Sequence, residues 1–516
     1  MQSRTMTLVF TNHHLPAIKA RKPDKRKNTL APHIQEILGV FALYVFTLMI
    51  GSLVGASVYP ALNVIGPFIL AGILGFANWQ MIRSDGKNIW TALFWFRLST
   101  AVYFGFGTLF VYLANEATWL FMQAFFRFED LDIYKLNLIV MLSVFLVLLM
   151  ARLSIFATSG KMNSARSATS LNLRNSDKML LIAAIIFLAI GLIINYVFVI
   201  PYRLGWTDTT LPGSALTLTR LIPVGIFFLT LWALRNAKWL LPAIFALVGI
   251  EMVFSLLMFM KSSMLFILIM VSFAFLWDKL TARKLMTVGV VVLSAYFISR
   301  PLVDYGRVEI SLKYGANTQA GLGERFDVFT SYFSPNRVDP YNGDVQSGLT
   351  RLSYVNASAL VIHLYDSGQP GNWPKLIPAV LIPRIFWPDK PIITAIGRDI
   401  YELGTGRRTS SFGAGIFADA YWAMGWSGVV VYMSFYGLVI GLLTQLASRI
   451  MHKEQWLFFP VVLLGLNYGM RTDGHYISDV AGGLVLIIAL YFLLLGLSII
   501  LKSSPKKRRA FVLGVD

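Results

Sequence analysis

Val480-Ala-Gly-Gly-Leu-Val-Leu-Ile-Ile-Ala-Leu-Tyr-Phe-Leu-Leu-Leu-Gly-Leu-Ser-Ile-Ile-Leu501 contains no charged side chain and is long enough to cross a bilayer as one helix. Stretches of this kind recur along nearly the whole chain. With this one there are twelve, near 37–58, 63–82, 91–114, 135–156, 179–201, 215–235, 239–259, 263–280, 285–302, 426–448, 456–470 and 480–501. Over 516 residues, 56% are hydrophobic, 14% are charged and the mean hydropathy is +0.64, which fits soluble globular classes badly. The expected fold is an all-α, polytopic membrane protein of about twelve transmembrane helices.

The first 36 residues carry Lys19, Arg21, Lys22, Lys25, Arg26 and Lys27 without an apolar core, so they do not read as a cleavable signal peptide. Basic residues then set orientation, because cytoplasmic loops beside spans are enriched in lysine and arginine. With the N-terminus inside, Arg83/Lys87, Lys161/Arg166/Arg174/Lys178, Arg235/Lys238, Lys279/Arg283/Lys284, Arg449/Lys453 and the tail Lys506/Lys507/Arg508/Arg509 all fall in the cytoplasm. An even number of spans then leaves both termini cytoplasmic. The net charge of +19 is accounted for by this topology and by anionic membrane lipids, without nucleic acid. The chain has no cysteine and its six histidines show no zinc-type spacing, so neither a disulfide framework nor a metal site is expected. A bacterial inner membrane is the simplest compartment.

The expected organisation is a basic cytoplasmic tail (1–36), helices one to nine (37–302), a large outward-facing loop (303–425), helices ten to twelve (426–501) and a second basic tail (502–516). The loop holds Tyr332, Phe333, Tyr354, Trp373, Phe386, Trp387, Tyr401 and Phe412, enough apolar surface to be folded. An amphipathic helix is expected over Leu349–Tyr365, with Arg351 in its first turn and His363 beside Leu352, Val355 and Ala359. In Lys375-Leu-Ile-Pro-Ala-Val-Leu-Ile-Pro-Arg-Ile-Phe-Trp-Pro-Asp-Lys-Pro391 four prolines argue against a regular helix and for a segment lying at the membrane interface.

Two stretches are candidates for chemistry. Gly404-Thr-Gly-Arg-Arg-Thr-Ser-Ser-Phe-Gly413-Ala-Gly415 ahead of a helix has the makings of an anion cradle from Arg407, Arg408, Thr409, Ser410 and Ser411; it also reads as a solvated loop whose arginines touch lipid phosphates. Arg471-Thr-Asp-Gly-His475-Tyr, in a short outer loop, offers an anion-binding arginine and a proton-moving histidine, or an ordinary Asp-Gly turn. A short tether makes His475 a better base candidate than His363, for which packing is the simpler account. Glu251 lies in mid-span seven, where a carboxylate is either functional or paired with a bundle arginine. Arg220 and Lys261, near outer span ends, point positive charge toward the same site or snorkel to headgroups.

The run Arg351-Leu-Ser…Pro383-Arg384-Ile-Phe-Trp-Pro-Asp-Lys-Pro391, followed by Ser411-Phe-Gly-Ala-Gly…Ala420-Tyr…Met424-Gly-Trp-Ser-Gly428, resembles the bacterial oligosaccharide repeat-unit polymerases of the Wzy type. The resemblance covers roughly a quarter of the chain. It implies a metal-independent, membrane-embedded glycosyltransferase of GT-C-like architecture that needs no cofactor. Its substrate would be repeat units on undecaprenyl diphosphate at the periplasmic face, destined for O-antigen, capsule or exopolysaccharide. A chain-length regulator and other polysaccharide-assembly proteins would be its partners. Carried over by position, Arg351 resembles the family's outer-loop arginine and Arg471 a second, late basic residue. Lys261-Ser262 stands where relatives have Ser-Arg, and lysine cannot bind phosphate bidentately.

Such a reaction expels a diphosphate from an anomeric carbon, so it needs fixed cations and one proton acceptor. Arg220, Lys261, Arg351, Arg384, Arg407, Arg408 and Arg471 are the expected diphosphate and substrate contacts. His475 is the expected base, with Glu251 the alternative. The rival functions are a ligase moving finished glycan from the same lipid onto a lipid A core, and a transporter or flippase of a lipid-linked anionic glycan.

Overall fold

The computed structural model describes residues 30–164, 177–207, 218–277, 281–314, 320–335, 353–382, 386–406 and 411–503. Among them there is no strand. The first part comprises α1 (Ile34–Val54), α2 (Tyr59–Ser84), α3 (Ala92–Thr100), α4 (Gly107–Tyr112), α5 (Glu116–Phe126), α6 (Asp130–Ser164), α7 (Asp177–Ile193), α8 (Ile200–Arg203), α9 (Leu221–Asn236), α10 (Leu241–Leu257), α11 (Lys261–Leu276) and α12 (Ala282–Tyr314). The remainder comprises α13 (Leu322–Ser331), α14 (Val355–Asp366), α15 (Ile377–Leu381), α16 (Ile396–Thr405), α17 (Ile416–His452), α18 (Phe459–Met470) and α19 (Gly482–Ser503). π-Helical turns join α3 to α4 and α7 to α8, so each pair makes one continuous rod.

Nine helices among the described residues are long and apolar enough to cross a membrane, and Leu221–Asn236, Lys261–Leu276 and Trp456–Met470 are shorter apolar helices. An all-α polytopic membrane protein is therefore what the chain forms. Each of the twelve apolar stretches coincides with one of these helices.

Packing without a hydrophobic drive between helices depends on close approach, and small residues supply it. α6 and α17 run side by side where Gly437 faces Val147 and Gly441 faces Ala151. A Cβ on Gly437 would lie 2.7 Å from the Val147 backbone, and one on Gly441 2.6 Å from the Ala151 carbonyl oxygen. Gly191 and Gly225 do the same where α7 crosses α9. Arg97 is buried and holds Glu36 through two bonds, Nη2–Oε2 at 2.6 Å and Nε–Oε1 at 2.7 Å. A bidentate pair of this kind satisfies both charges where water is excluded.

Helix direction alternates through the short connections, so two ends of the bundle are distinguishable. At one end His452 meets Asp85 at 2.8 Å and Lys87 approaches Glu454 at 4.0 Å. The other, the loop end, gathers α5, α14, α15, α16, the start of α17 and the turn after α18. Here α14 lies buried, with Val355 through Ile362 shielded from solvent. Lys135 on α6 pairs with Asp366 at 2.5 Å, and Tyr421 donates to the same carboxylate at 2.9 Å.

One boundary differs from expectation. Span nine was to end at 302, but α12 runs through Pro301 to Tyr314, held by Asp304 accepting from Lys261 at 3.0 Å and from Arg300 at 3.2 Å. Val355–Asp366 forms within the expected amphipathic segment, of which 349–352 lie outside the described residues. The proline-rich run includes a 3-10 turn, Trp373–Leu376, and then α15; Pro374 and Pro378 sit in their first turns, where a missing N–H costs nothing. The start of span ten at 426 corresponds to a break in α17. Met424 leaves the helical region and Gly425 takes φ +62°, a conformation strained for any side chain; a Cβ there would also lie 2.7 Å from the Tyr365 hydroxyl.

Candidate functional site

α18 stops at Met470, and the chain reverses through Arg471-Thr-Asp-Gly-His475 before a π-helical turn, Tyr476–Ala481, opens α19. Asp479, one turn beyond His475, ties this reversal together. One of its oxygens accepts from Arg471 Nη2 at 3.0 Å, the other from the His475 backbone N–H and the Ser478 hydroxyl, both at 3.0 Å. Arg471 Nε lies 3.7 Å from Asp473, too far for a hydrogen bond, and is buried without a hydrogen-bond partner among the described residues. Burial alone would lower the Arg471 pKa, but the carboxylates of Asp473 and Asp479 outweigh it and raise it, so the guanidinium is a permanent cation.

The segment 411–415 lies across this turn. Phe412 N–H donates to the Gly397 carbonyl at 2.9 Å and Ile416 N–H to the Thr472 carbonyl at 3.0 Å. His475 Nε2 stands 2.8 Å from the Phe412 carbonyl oxygen. A carbonyl only accepts, so Nε2 carries the hydrogen and Nδ1 carries the lone pair. Nδ1 is buried with no hydrogen-bond partner among the described residues. Burial pushes the His475 pKa below its ordinary 6.5, against the pull of Asp479. The imidazole is consequently neutral at physiological pH, with its basic nitrogen buried.

Aromatic side chains adjoin the turn. Tyr103 and Tyr354 meet edge to face at 5.0 Å, and the Tyr354 hydroxyl hydrogen-bonds Asp473. Burial, offset by Arg471, raises the Asp473 pKa; burial and then the Asp473 charge raise that of Tyr354. Beneath the turn, Asp419 is fully buried and accepts from Tyr476 N–H at 2.7 Å, while its second oxygen has no hydrogen-bond partner among the described residues. Trp373 stacks on Tyr476 at 5.2 Å and donates to the Asp419 carbonyl at 3.1 Å.

Of the residues expected to act, three come together. Arg220, immediately before α9, donates to Asn467 at 3.2 Å, one turn below Arg471 on α18, and lies within Coulombic reach of Arg471 and Asp479. Arg471 and His475 form the turn itself. Glu251 instead accepts from the Tyr196 hydroxyl at 2.8 Å, and among the described residues neither the cluster nor a bundle arginine is its hydrogen-bond partner. Lys261 is paired with Asp304. His363 stands half-exposed, 3.5 Å from Asp132. Arg351, Arg384, Arg407 and Arg408, with Thr409 and Ser410, lie outside the described residues. Sequence reasoning missed Asp479, Asp419, Tyr354 and the Phe412 carbonyl. Asp479 carries a signal, as a carboxylate at the edge of an otherwise uncharged span; a backbone carbonyl 63 residues from its histidine carries none. The clefts lined by Arg97 and Met81 and by Trp456 and Met179 open at the opposite end of the bundle and take no part.

Residues 376–459 match a family described as a domain of unknown function, DUF8712. The match takes in α15, α16, α17 and the segment carrying Phe412, and stops short of the Arg471–Asp479 turn. No curated protein and no solved structure matches.

Proposed function

We propose that this chain polymerises oligosaccharide repeat units carried on undecaprenyl diphosphate, as a metal-independent membrane glycosyltransferase of GT-C-like architecture. In this reading the three shorter apolar helices also cross, giving twelve spans, with both termini cytoplasmic and the loop end facing the periplasm of a bacterial inner membrane. The observation that supports it is the juxtaposition of Arg471 and Arg220 with a neutral His475 whose Nδ1 is uncommitted.

A hydroxyl of the acceptor glycan attacks the anomeric carbon of the donor glycan. The bond from that carbon to the diphosphate oxygen breaks, and the diphosphate departs on its lipid with the bonding electrons. Arg471 and Arg220 hold the charge that develops there, in a site where partial burial strengthens each interaction. His475 Nδ1 takes the hydroxyl proton, and its Nε2–H bond to Phe412 fixes the ring for that task. Tyr354 and Asp473 orient Arg471.

Purified protein given one lipid-linked repeat unit, with no other acceptor, should yield a ladder of products on a gel, and Arg471→Ala should yield none. Product that forms only when a lipid A core is added would assign the ligase reaction instead; unaltered ladders from Arg471→Ala would remove this site from the chemistry.

A further inference from the structure

A second group of arginines lies at the loop end, around the reversal between α10 and α11. Phe259 occupies that reversal with φ +51°, a strained conformation for a residue with a side chain. Its ring is locked over Gly306 of α12, where a Cβ would lie 2.0 Å from a ring carbon. The turn therefore has one shape, and it anchors two arginines from distant parts of the chain. Arg307 Nε donates to the Phe259 carbonyl at 3.0 Å, and Arg203, at the end of α8, contacts the Met260 sulfur. Arg325, in the first turn of α13, donates to the Ala320 carbonyl at 2.9 Å and to the Arg203 carbonyl at 3.4 Å.

None of these three guanidiniums has a carboxylate partner among the described residues. Glu324 is close enough for Arg325 to feel its charge, but its carboxylate caps the Gly321 N–H at 2.6 Å. Asp304 is already shared by Lys261 and Arg300. Like charges lie within reach of one another, Arg203 and Arg325 directly, and neutral carbonyl and thioether contacts leave most of their N–H donors uncommitted. Fixed, crowded cations with most N–H donors uncommitted form a site suited to an anion.

Depth in the membrane identifies the ligand. Arg203 ends the span Asp177–Arg203, and Phe259–Met260 lies between the end of one apolar helix and the start of the next. The group is thus level with the termini of spans, where phospholipid phosphates lie. Exposed aromatic side chains lie close along the chain: Trp206 (65%) follows Arg203, Phe326 (54%) adjoins Arg325 and Phe333 (65%) follows α13. Aromatic rings beside arginines at a span end favour the membrane interface over bulk water, and a soluble phosphate would not need them. We propose that Arg203, Arg307 and Arg325 form a binding site for the phosphate of an anionic membrane phospholipid, distinct from the Arg471 cluster and independent of the reaction assigned to it.

The test is native mass spectrometry of the full-length protein in detergent, titrated with phosphatidylglycerol. The expected result is a retained phosphatidylglycerol, bound about tenfold or more weakly by the Arg203→Gln/Arg307→Gln/Arg325→Gln variant and unchanged in Arg471→Ala. Phosphatidylcholine should neither compete nor respond to these substitutions. Should the triple variant fold poorly, Arg325→Gln alone must lose the rise in melting temperature that phosphatidylglycerol gives the wild type. Equal retention by wild type and triple variant overturns the proposal. So does displacement of phosphatidylglycerol by inorganic pyrophosphate at matching concentration, which would mean a soluble anion site, or a preference of these three residues for undecaprenyl diphosphate, which would mean a second substrate site.

Discussion

The loop end presents arginine in two settings. Arg471 is 40% exposed and sits among partners: Asp479 at 3.0 Å, Asp473 at 3.7 Å and, through Asp473, Tyr354. Arg203, Arg307 and Arg325 are held by backbone carbonyls and a sulfur. A cation surrounded by carboxylates is fixed in one direction and keeps its charge at little cost, so it can be aimed at charge that exists only briefly. A cation fixed by neutral groups keeps its full attraction for a resident anion. The first arrangement suits a reacting centre and the second a bound headgroup. This contrast fails if the two groups respond alike to substitution.

The largest separation is expected in the ladder assay. Arg471→Ala should slow polymer formation by about a thousandfold, the scale on which removal of one fixed charge-stabilising donor is felt. The triple glutamine variant at Arg203, Arg307 and Arg325 should stay within about twofold of wild type in detergent. Comparable losses in both would merge the two groups into one site.

His475 sharpens the assignment through pH. His475→Ala should reduce turnover by about a hundredfold, as loss of a general base does. In the wild type the rate should fall only as pH drops below the ordinary histidine value of 6.5, because burial places the folded pKa beneath it. The stability sign follows: between the two values the unfolded chain binds more protons than the folded one, so stability is full above about pH 6.5 and declines as pH falls through the folded value. A turnover profile whose acid limb lies above 6.5 would exclude His475 as the base. The other group contains no histidine, and phosphatidylglycerol retention should be flat over this range.

Asp479→Asn tests the carboxylate half of the contrast. It removes the charge that holds Arg471 while leaving an acceptor for the His475 N–H. The expected loss is about 1–2 kcal/mol, well below that of a fully buried pair because solvent reaches Arg471, and it should appear as a lower melting temperature in detergent. An unchanged melting temperature would show that Asp479 does not secure the turn.

Much of the fold could be read from residues alone because apolar length is a local property: each apolar stretch coincides with a helix, and Gly425 breaks α17 where span ten was expected to begin. Errors arose where tertiary contacts overrode local signals. Pro301 and the charges around it mark an end, yet Asp304 bonds across to Lys261 and carries α12 onward. In the site, Arg471 and His475 were legible because a short turn keeps them adjacent, whereas Phe412 and Tyr354 enter only through the folding of the long loop. Arg203 and Arg325 meet across 122 residues, and each alone resembles an ordinary solvated cation. Juxtaposition at that separation has no periodicity to betray it.

Ionic strength gives the smallest and most discriminating effect. The Debye length falls from about 8 Å at 0.15 M salt to about 3 Å at 1 M, and screening acts mainly on charges that water reaches. Phosphatidylglycerol held at the membrane interface by three arginines should therefore be released several-fold more readily at 1 M sodium chloride, as counted by native mass spectrometry after exchange into a volatile salt series. Arg471 and Asp479 are in direct contact at 3.0 Å and the Asp479 side chain is only 20% exposed, so the melting temperature difference between wild type and Asp479→Asn should change less across the same series. If salt erased that difference while leaving lipid retention intact, the assignment of the two groups would have to be exchanged.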